Sequence, residues 1–127
     1  MRPNWDKYFL ELAKVTATRS TCLHRKVGAI LVKNNHIISQ GYNGAPVGEE
    51  HCTDIGCSKP EHATRFENCR AVHAEVNAII QAALNGTSIE GATLYCTHSP
   101  CVMCVRVLKN AKIDKIIFME EYHGKTR

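Results

Sequence analysis

The sequence lacks any long apolar segment. No apolar run approaches the ~18 residues of a membrane-spanning helix, and residues 1–7 do not contain the apolar stretch of a secretory leader. No run of Lys or Arg forms a nucleic-acid-binding tail, and the formal net charge of +4 is mild. We therefore expect a cytoplasmic protein that does not enter membranes, and we do not expect nucleic acid as a partner.

Internal repeats, low-complexity tracts and domain linkers are also lacking. At 127 residues the chain has the usual size of one domain, and we expect a single domain over residues 1–127. Its seven cysteines would be many for disulfides in a chain without a leader. Since cytoplasmic cysteines stay reduced, clusters of them indicate metal binding.

Hydrophobic periodicity predicts three helices and four strands. The helices cover residues 4–19, 73–85 and 101–110, and the strands cover residues 27–33, 36–42, 92–97 and 115–119. Asn34 and Asn35 tolerate positive φ, so the first two strands form an antiparallel hairpin. The last strand, helix and strand form a parallel crossover. These elements predict an α/β fold, a three-layer α/β/α sandwich around one mixed sheet, with the second helix apolar on all sides and therefore buried.

Three residues of metal-binding type fall at the starts of two predicted helices. His73 begins one helix in His-Ala-Glu, and Cys101 and Cys104 lie in Pro-Cys-Val-Met-Cys at the start of the next. Cysteines three apart share a helix face, Pro100 suits a first helical turn, and helix N-termini favour thiolates. One histidine and two cysteines leave the fourth position of a tetrahedral zinc open, as catalytic zinc sites do.

Glu75 follows the predicted histidine ligand by two residues. From there its carboxylate can reach a water at the open metal position and shuttle a proton. The H-x-E…P-C-x-x-C pattern is typical of zinc-dependent nucleobase deaminases, in which the glutamate is an acid/base and not a ligand. The competing interpretation is a structural zinc knuckle or a redox pair, but such a site has no use for an adjacent acid.

At these motifs the chain resembles the cytidine and deoxycytidylate deaminase superfamily, and most fully its deoxycytidylate (dCMP) deaminases. The matching segments are Arg-Ser-Thr-Cys at 19–22, Val-Gly-Ala-Ile-Leu-Val at 27–32, Gly-Tyr-Asn-Gly-Ala-Pro at 41–46, His-Ala-Glu-Val-Asn-Ala-Ile at 73–79, residues 86–95 and Ser-Pro-Cys at 99–101. The resemblance implies a cytidine deaminase-like fold, a catalytic zinc ion, and hydrolysis of dCMP to dUMP and ammonia for thymidylate synthesis.

The resemblance also implies substrate contacts. Asn43 would hydrogen-bond the deoxyribose 3′-hydroxyl, and Glu75 the pyrimidine N3. The backbone groups at the base edge would be those of Ala74, Ser99 and Pro100. Tyr122, after the last strand, would lie near the ribose-phosphate end of the nucleotide.

Arg25 and Lys26 are candidate partners of the 5′-phosphate, because phosphate calls for cationic donors. The alternative is an ordinary solvated strand edge. His24 stands where many relatives have an arginine, and Gln81 and Leu84 stand where allosteric relatives have an aromatic residue and an arginine that help to bind dCTP. The phosphate contact and nucleotide regulation are therefore not carried over from the family.

Four further cysteines predict a second zinc ion. They are Cys22, Cys52, Cys57 and Cys69, with His62 or His51 able to replace one thiolate. Four such ligands would form a closed structural site, as in some dCMP deaminases, and would order the polar stretch over residues 43–70. The alternative is that these cysteines are simply buried or free.

Two features predict a homo-oligomer, a hexamer or a dimer. The helices over residues 4–19 and 73–84 present more apolar surface than a four-stranded sheet can cover, and the edge strand 115–119 has no later strand to pair it. Relatives commonly form hexamers and usually continue beyond this strand, so the C-terminal end is expected to be shortened, either in a compact family member or in a cut chain.

Other zinc deaminases share the metal motif. A tRNA adenosine deaminase or a riboflavin-pathway deaminase would lack Gly-Tyr-Asn-Gly combined with a cysteine-rich insertion, and a free cytidine deaminase normally has cysteine where His73 stands. From a different class, the chain would be a non-catalytic zinc-binding module. The intact Glu75 argues against that alternative.

Overall fold

The fold is built on a mixed four-stranded sheet with helices on both faces. The computed structural model describes residues 1–23, 25–55 and 71–120. Its elements are α1 (Trp5–Ala17), β1 (Gly28–Lys33), β2 (His36–Tyr42), α2 (Cys52–Ile55), α3 (Ala74–Leu84), β3 (Thr93–His98), α4 (Val102–Asn110) and β4 (Lys115–Glu120). The strand order is β2-β1-β3-β4. β1 pairs antiparallel with β2 and β3, and β3 pairs parallel with β4. The predicted mixed sheet is confirmed.

Helix α1 covers one face of the sheet. Asn4 caps it, because its side-chain oxygen accepts a hydrogen bond from the Lys7 backbone N–H at 2.8 Å. Phe9 and Ala13 pack against β1 and β3, and the ring of Phe9 lies 5.2 Å from that of Tyr95. This cluster forms the smaller of two apolar cores.

Helices α3 and α4 cover the opposite face, which confirms the three-layer arrangement. Alternate residues of β1 supply the two cores, since Ile30 faces α1 while Ala29 and Leu31 pack with Ala78 and Leu108. β1 is buried on both faces for this reason. The second core includes Ala74 and Ala78 from the first half of α3 and Leu108 from the end of α4.

Gly41 in β2 allows α3 to lie unusually close to the sheet. A Cβ atom at this position would lie 2.4 Å from the Ala78 backbone nitrogen and 2.5 Å from the Ala74 carbonyl oxygen. Beside it, the Ser39 hydroxyl donates a hydrogen bond to the Ala78 carbonyl oxygen at 2.5 Å. The first turns of α3 are therefore fixed against β2 by direct backbone contact.

The β1–β2 hairpin has the predicted turn. Asn34 and Asn35 adopt φ values of 52° and 60°, the left-handed conformation that a two-residue hairpin turn requires. The register shifts between Leu31 and Val32, where a bulge interrupts the pairing.

Two expectations about local structure are wrong, and one short element was missed. α3 is not buried all round, because Ile80 and Leu84 near its end are 42% and 74% exposed. Pro100 does not lie in the first turn of α4, since Cys101 is the N-cap residue. The short helix α2 was not predicted, because four residues are too few for a periodic signal.

No helix in residues 1–23, 25–55 and 71–120 has the length and apolarity needed to span a bilayer.

Candidate metal centre

The predicted catalytic ligands come together at the N-terminal ends of α3 and α4. The Nδ1 atom of His73 lies 3.2 Å from the Cys104 Sγ atom and 3.6 Å from the Cys101 Sγ atom. All three ligand atoms lie within 4.8 Å of one another, and both cysteines are buried. Residues that are 28 and 31 positions apart in sequence thus form one compact donor set.

These distances suit a tetrahedral zinc ion. Zn–S bonds of about 2.3 Å and Zn–N bonds of about 2.0–2.1 Å place the sulfur and nitrogen of a tetrahedral site about 3.6 Å apart. The observed Nδ1–Sγ separations of 3.2 and 3.6 Å match that edge. One nitrogen and two sulfur donors form the set that zinc prefers, with the fourth position open.

Each helix contributes its N-cap position to the cluster. His73 caps α3 with extended backbone (φ −69°, ψ 150°), but its ring makes no capping hydrogen bond and turns to the cysteines instead. Cys101 caps α4, where its Sγ atom accepts a hydrogen bond from the Cys104 backbone N–H at 3.5 Å. The ligands thereby lie where two helix dipoles favour negative charge.

The Cys101 thiol is strongly acidified. Hydrogen bonding from the Cys104 side chain lowers the pKa of Cys101 to about 3, and His73 and the Cys104 backbone N–H act in the same direction, whereas burial opposes them. A thiolate at neutral pH is the form that ligates metals. Cys101 is therefore an anionic donor at neutral pH even without a bound cation.

Glu75 lies in the first turn of α3, two residues after His73, and is completely buried. Burying an ionised carboxylate is costly unless a partner or a metal offsets the loss of water. A dication held at the adjacent helix end would provide that offset, and the neighbouring Ala74 is also 0% exposed. The arrangement combines a metal donor set with one buried acid, which suits metal-assisted hydrolysis.

Comparison with known proteins identifies the family. A family model for the cytidine and deoxycytidylate deaminase zinc-binding region matches residues 3–120. The chain belongs to this deaminase family. Zinc is accordingly the metal for which the donor set is built.

Relatives of this deaminase chain share its length to different degrees. It is 36% identical to the deoxycytidylate deaminase of Mycobacterium phage D29, with 94% of this chain and 98% of that protein covered. It is also 36% identical to the deoxycytidylate deaminase of Schizosaccharomyces pombe, with 96% of this chain covered but only 39% of the relative. The chain thus spans less than half of that yeast relative.

A solved structure shares the fold closely. The dCMP deaminase from cyanophage S-TIM5, in complex with dCMP and dUMP, superposes with a TM-score of 0.83 at 34% identity, covering 98% of this chain and 88% of that one. The fold predicted from the sequence of this deaminase is thereby confirmed.

Asn43 of the deaminase chain lies at the end of β2 with its side chain buried and held by backbone groups. Its Oδ1 atom accepts a hydrogen bond from the Val27 N–H at 2.9 Å, and its Nδ2 atom donates to the Arg25 carbonyl oxygen at 2.7 Å. One Nδ2 hydrogen and one Oδ1 lone pair are left over for another contact. Asn43 therefore also fixes the segment that leads into β1.

The other predicted substrate residues differ in their exposure to solvent. Ser99 and Pro100 are half-buried directly before Cys101. Arg25 is half-buried, whereas Lys26 is exposed and donates from Nζ to the Ser20 carbonyl oxygen at 3.0 Å. Tyr122 and His24 lie outside the described residues.

The predicted second zinc site is described only in part. Cys22 and Cys52 are buried, and His51 is exposed, whereas Cys57, Cys69 and His62 lie outside the described residues. Over residues 1–23, 25–55 and 71–120, the catalytic cluster is the only group of three or more metal-ligating side chains. The second site stays a prediction.

No role was predicted for Asn77 from the sequence, although it lies in the His-Ala-Glu-Val-Asn segment. Its Nδ2 atom donates to the Tyr42 carbonyl oxygen at 2.7 Å and to the Val72 carbonyl oxygen at 3.4 Å. A polar residue four positions after the histidine lies one helical turn further along the same flank. That spacing was the available signal, but it names no partner.

Proposed function

We propose that this chain catalyses the zinc-dependent hydrolytic deamination of dCMP to dUMP and ammonia. The observation that carries the proposal is the His73, Cys101 and Cys104 donor set with the buried Glu75 in the same helical turn as His73. Family membership and the likeness to a dCMP deaminase solved with dCMP and dUMP support the choice of substrate. One domain over residues 1–127 would hold the complete site.

In this proposal His73, Cys101 and Cys104 hold the ion. When bound, zinc lowers the pKa of a water molecule from 15.7 to about 7 and so supplies a nucleophile at neutral pH. Glu75 would accept one proton from this water and pass it to the pyrimidine N3, and would then take the second proton from the hydroxyl group added to the base and pass it to the amino group, which leaves as ammonia. Glu75 is completely buried, which shields its carboxylate from bulk solvent.

Backbone and side-chain groups around the cluster would orient the nucleotide. We assign the edge of the base to the backbone of Ala74, Ser99 and Pro100. The 3′-hydroxyl is assigned to Asn43, whose amide retains one donor and one acceptor for it.

The ribose-phosphate end of the nucleotide is assigned to Tyr122, Arg25 and Lys26. Arg25 is half-buried, and the Lys26 ammonium donates to the Ser20 carbonyl oxygen, so both cations are candidate phosphate donors at the edge of the described segment.

The proposal extends to a second zinc and to an assembly. Cys22 and Cys52 would hold a structural zinc with Cys57 and Cys69. The burial of Cys22 and of Cys52 supports this site. A homo-oligomer, hexameric or dimeric, is supported by exposed apolar side chains on two helices. These are Trp5, Tyr8 and Val15 of α1 and Ile80 and Leu84 of α3.

A nucleotide panel tests the function. Zinc-loaded protein is assayed for ammonia release from dCMP, CMP, dCTP, cytidine and a tRNA anticodon stem, and we expect dCMP to be the best substrate. Release only from the tRNA stem would point to an adenosine deaminase, and release from none would refute the enzyme assignment.

Glu75→Gln tests the mechanism within the same assay. We expect this variant to keep its zinc and to lose activity by more than the roughly 10²–10⁴-fold of a single acid–base step, because one residue makes several transfers. Glu90→Gln is the matched control, since Glu90 is an exposed acid that pairs with Lys112 at 4.0 Å. Wild-type turnover in Glu75→Gln would refute the assigned role.

A further inference from the structure

One side-chain amide links the two segments that lead into the candidate site. Asn77 lies in the second turn of α3, and its Nδ2 group donates both of its hydrogens to backbone carbonyl oxygens. The acceptors are Tyr42 at the end of β2, at 2.7 Å, and Val72 before α3, at 3.4 Å. The side chain thus connects two segments that are 30 residues apart in sequence.

Each acceptor belongs to the peptide group directly before a site residue. The Tyr42 carbonyl is part of the peptide bond to Asn43, and that peptide's N–H donates to the Val27 carbonyl oxygen at 3.3 Å. The Val72 carbonyl is part of the peptide bond to His73. The Asn77 side-chain amide therefore holds two peptide groups. One precedes Asn43, the proposed sugar contact, and the other precedes His73, a metal ligand.

Backbone contacts complete the same junction. Val72 N–H donates to the Gly44 carbonyl oxygen at 2.7 Å, and Gly44 N–H donates back at 3.2 Å. The His73 ring is directed to the cysteines and makes no cap for α3. The start of this helix is therefore held from its flank, and Asn77 is the side chain that ties it to the backbone at Tyr42 and Val72.

We propose that Asn77 is a positioning residue that sets the distance between Asn43 and the His73–Glu75 turn. The proposal rests on the function proposed above. Catalysis requires the sugar contact, the proton carrier and the metal ligands to be placed together, and a displacement of about 1 Å can lower the rate by about 10²-fold. Asn77 acts through Asn43 and His73 and needs no contact with the substrate.

Two substitutions distinguish this role from simple packing. Asn77→Ala removes both donors and leaves space, whereas Asn77→Asp keeps the shape but turns carboxylate oxygens towards two carbonyl oxygens. If donation is what matters, the isosteric Asp variant is the worse of the two, because unpaired and opposed acceptors cost more than a vacancy. A packing role would give the opposite order. Gln81→Ala is the matched control, since Gln81 lies one turn further along the same flank and is exposed.

The experiment uses the full zinc-loaded chain and measures kcat and KM on dCMP for all four proteins. We expect Asn77→Ala to lower kcat/KM by about 10²-fold, Asn77→Asp to lower it further, and Gln81→Ala to match the wild type. Asn43→Ala, alone and combined with Asn77→Ala, completes a double-mutant cycle. If the two residues act through a shared mechanism, the free-energy losses calculated from kcat/KM are less than additive. Independent multiplication of the two losses, or wild-type kcat/KM in Asn77→Ala, would overturn the proposal.

Two readouts do not depend on turnover. Competition with a chelator should show zinc held about 10-fold more weakly by Asn77→Ala, as for the removal of other groups that orient metal ligands. Hydrogen exchange at the Val72 and Gly44 amides should speed up in the same variant and not in Gln81→Ala. If the wild type proves inactive on dCMP while these changes occur, the proposed substrate is wrong but the positioning role stands. Unchanged zinc affinity and exchange would overturn the positioning role whatever the substrate.

Discussion

Replacing Gly41 by alanine should damage stability and the site together. The added Cβ atom would lie 2.4 Å from the Ala78 nitrogen and 2.5 Å from the Ala74 carbonyl oxygen, and both are backbone atoms that cannot rotate away. Ordinary contact begins at 3.4 Å, so α3 and β2 must separate by about an ångström at this point. Overpacking of this kind costs about 3 kcal/mol in a well-packed interior.

The same displacement acts on the candidate site, because Ala74 lies between His73 and Glu75. Moving this turn by about an ångström should lower kcat/KM by about 10²-fold even in the molecules that stay folded. Urea denaturation gives the change in unfolding free energy, and ammonia release below the transition gives the activity. Both losses are expected in one variant.

Gly44→Ala is the matched control for stability. The nearest atom to a Cβ there is the Thr21 Oγ1 atom at 3.4 Å, and Gly44 does not adopt positive φ. The free energy of unfolding of this variant should lie within about 0.5 kcal/mol of the wild-type value. If Gly41→Ala behaved like Gly44→Ala in both assays, the close approach of α3 to β2 would not be a constraint on the protein.

Four further outcomes are expected. Burial and a 2.6 Å hydrogen bond to Asp6 raise the pKa of Tyr95 from 10.0 to about 12, so its stabilising contribution is complete below pH 10 and is lost as the pH rises through 12; the stability gap between wild type and Tyr95→Phe should close over that interval, and a constant gap would contradict the assignment. Metal analysis should give two zinc ions per chain and one in Cys52→Ser, with lower stability in the variant, whereas a single zinc in zinc-replete wild type would refute the second site. Light scattering should give an oligomer mass, and removal of the 5′-phosphate from dCMP should raise KM; a monomer mass, or equal efficiency on deoxycytidine, would refute the respective claim.

The sequence predicted the elements well where one periodicity dominated. The hairpin through Asn34 and Asn35, the capped helix α1 and the parallel β3–β4 pair were all predicted, because turn chemistry and apolar spacing are local signals. The catalytic cluster was likewise predictable from the spacing of His73, Cys101 and Cys104, since metal geometry permits few donor sets.

What could not be predicted depends on contacts between distant segments. The exposure of Leu84 at the end of α3 depends on how the helix packs in three dimensions, and composition alone made that helix look buried. The occupation of the Asn43 amide by Arg25 and Val27, and the two acceptors of Asn77, require the register of β1, β2 and α3 in three dimensions. One sequence carries no direct record of such pairings.

The paired amides of Gly44 and Val72 have a consequence for the evolution and engineering of this protein. Their two hydrogen bonds, at 2.7 and 3.2 Å, close residues 45–71 into a loop whose ends meet just before His73. Lengthening a closed loop is inexpensive, at about 0.6 kcal/mol for each doubling. Because the Gly44–Val72 pairing and the Asn77 side chain both hold the backbone just before His73, a change of length within this interval should leave the metal ligand in place, which makes the interval a suitable place to insert a reporter or a regulatory module.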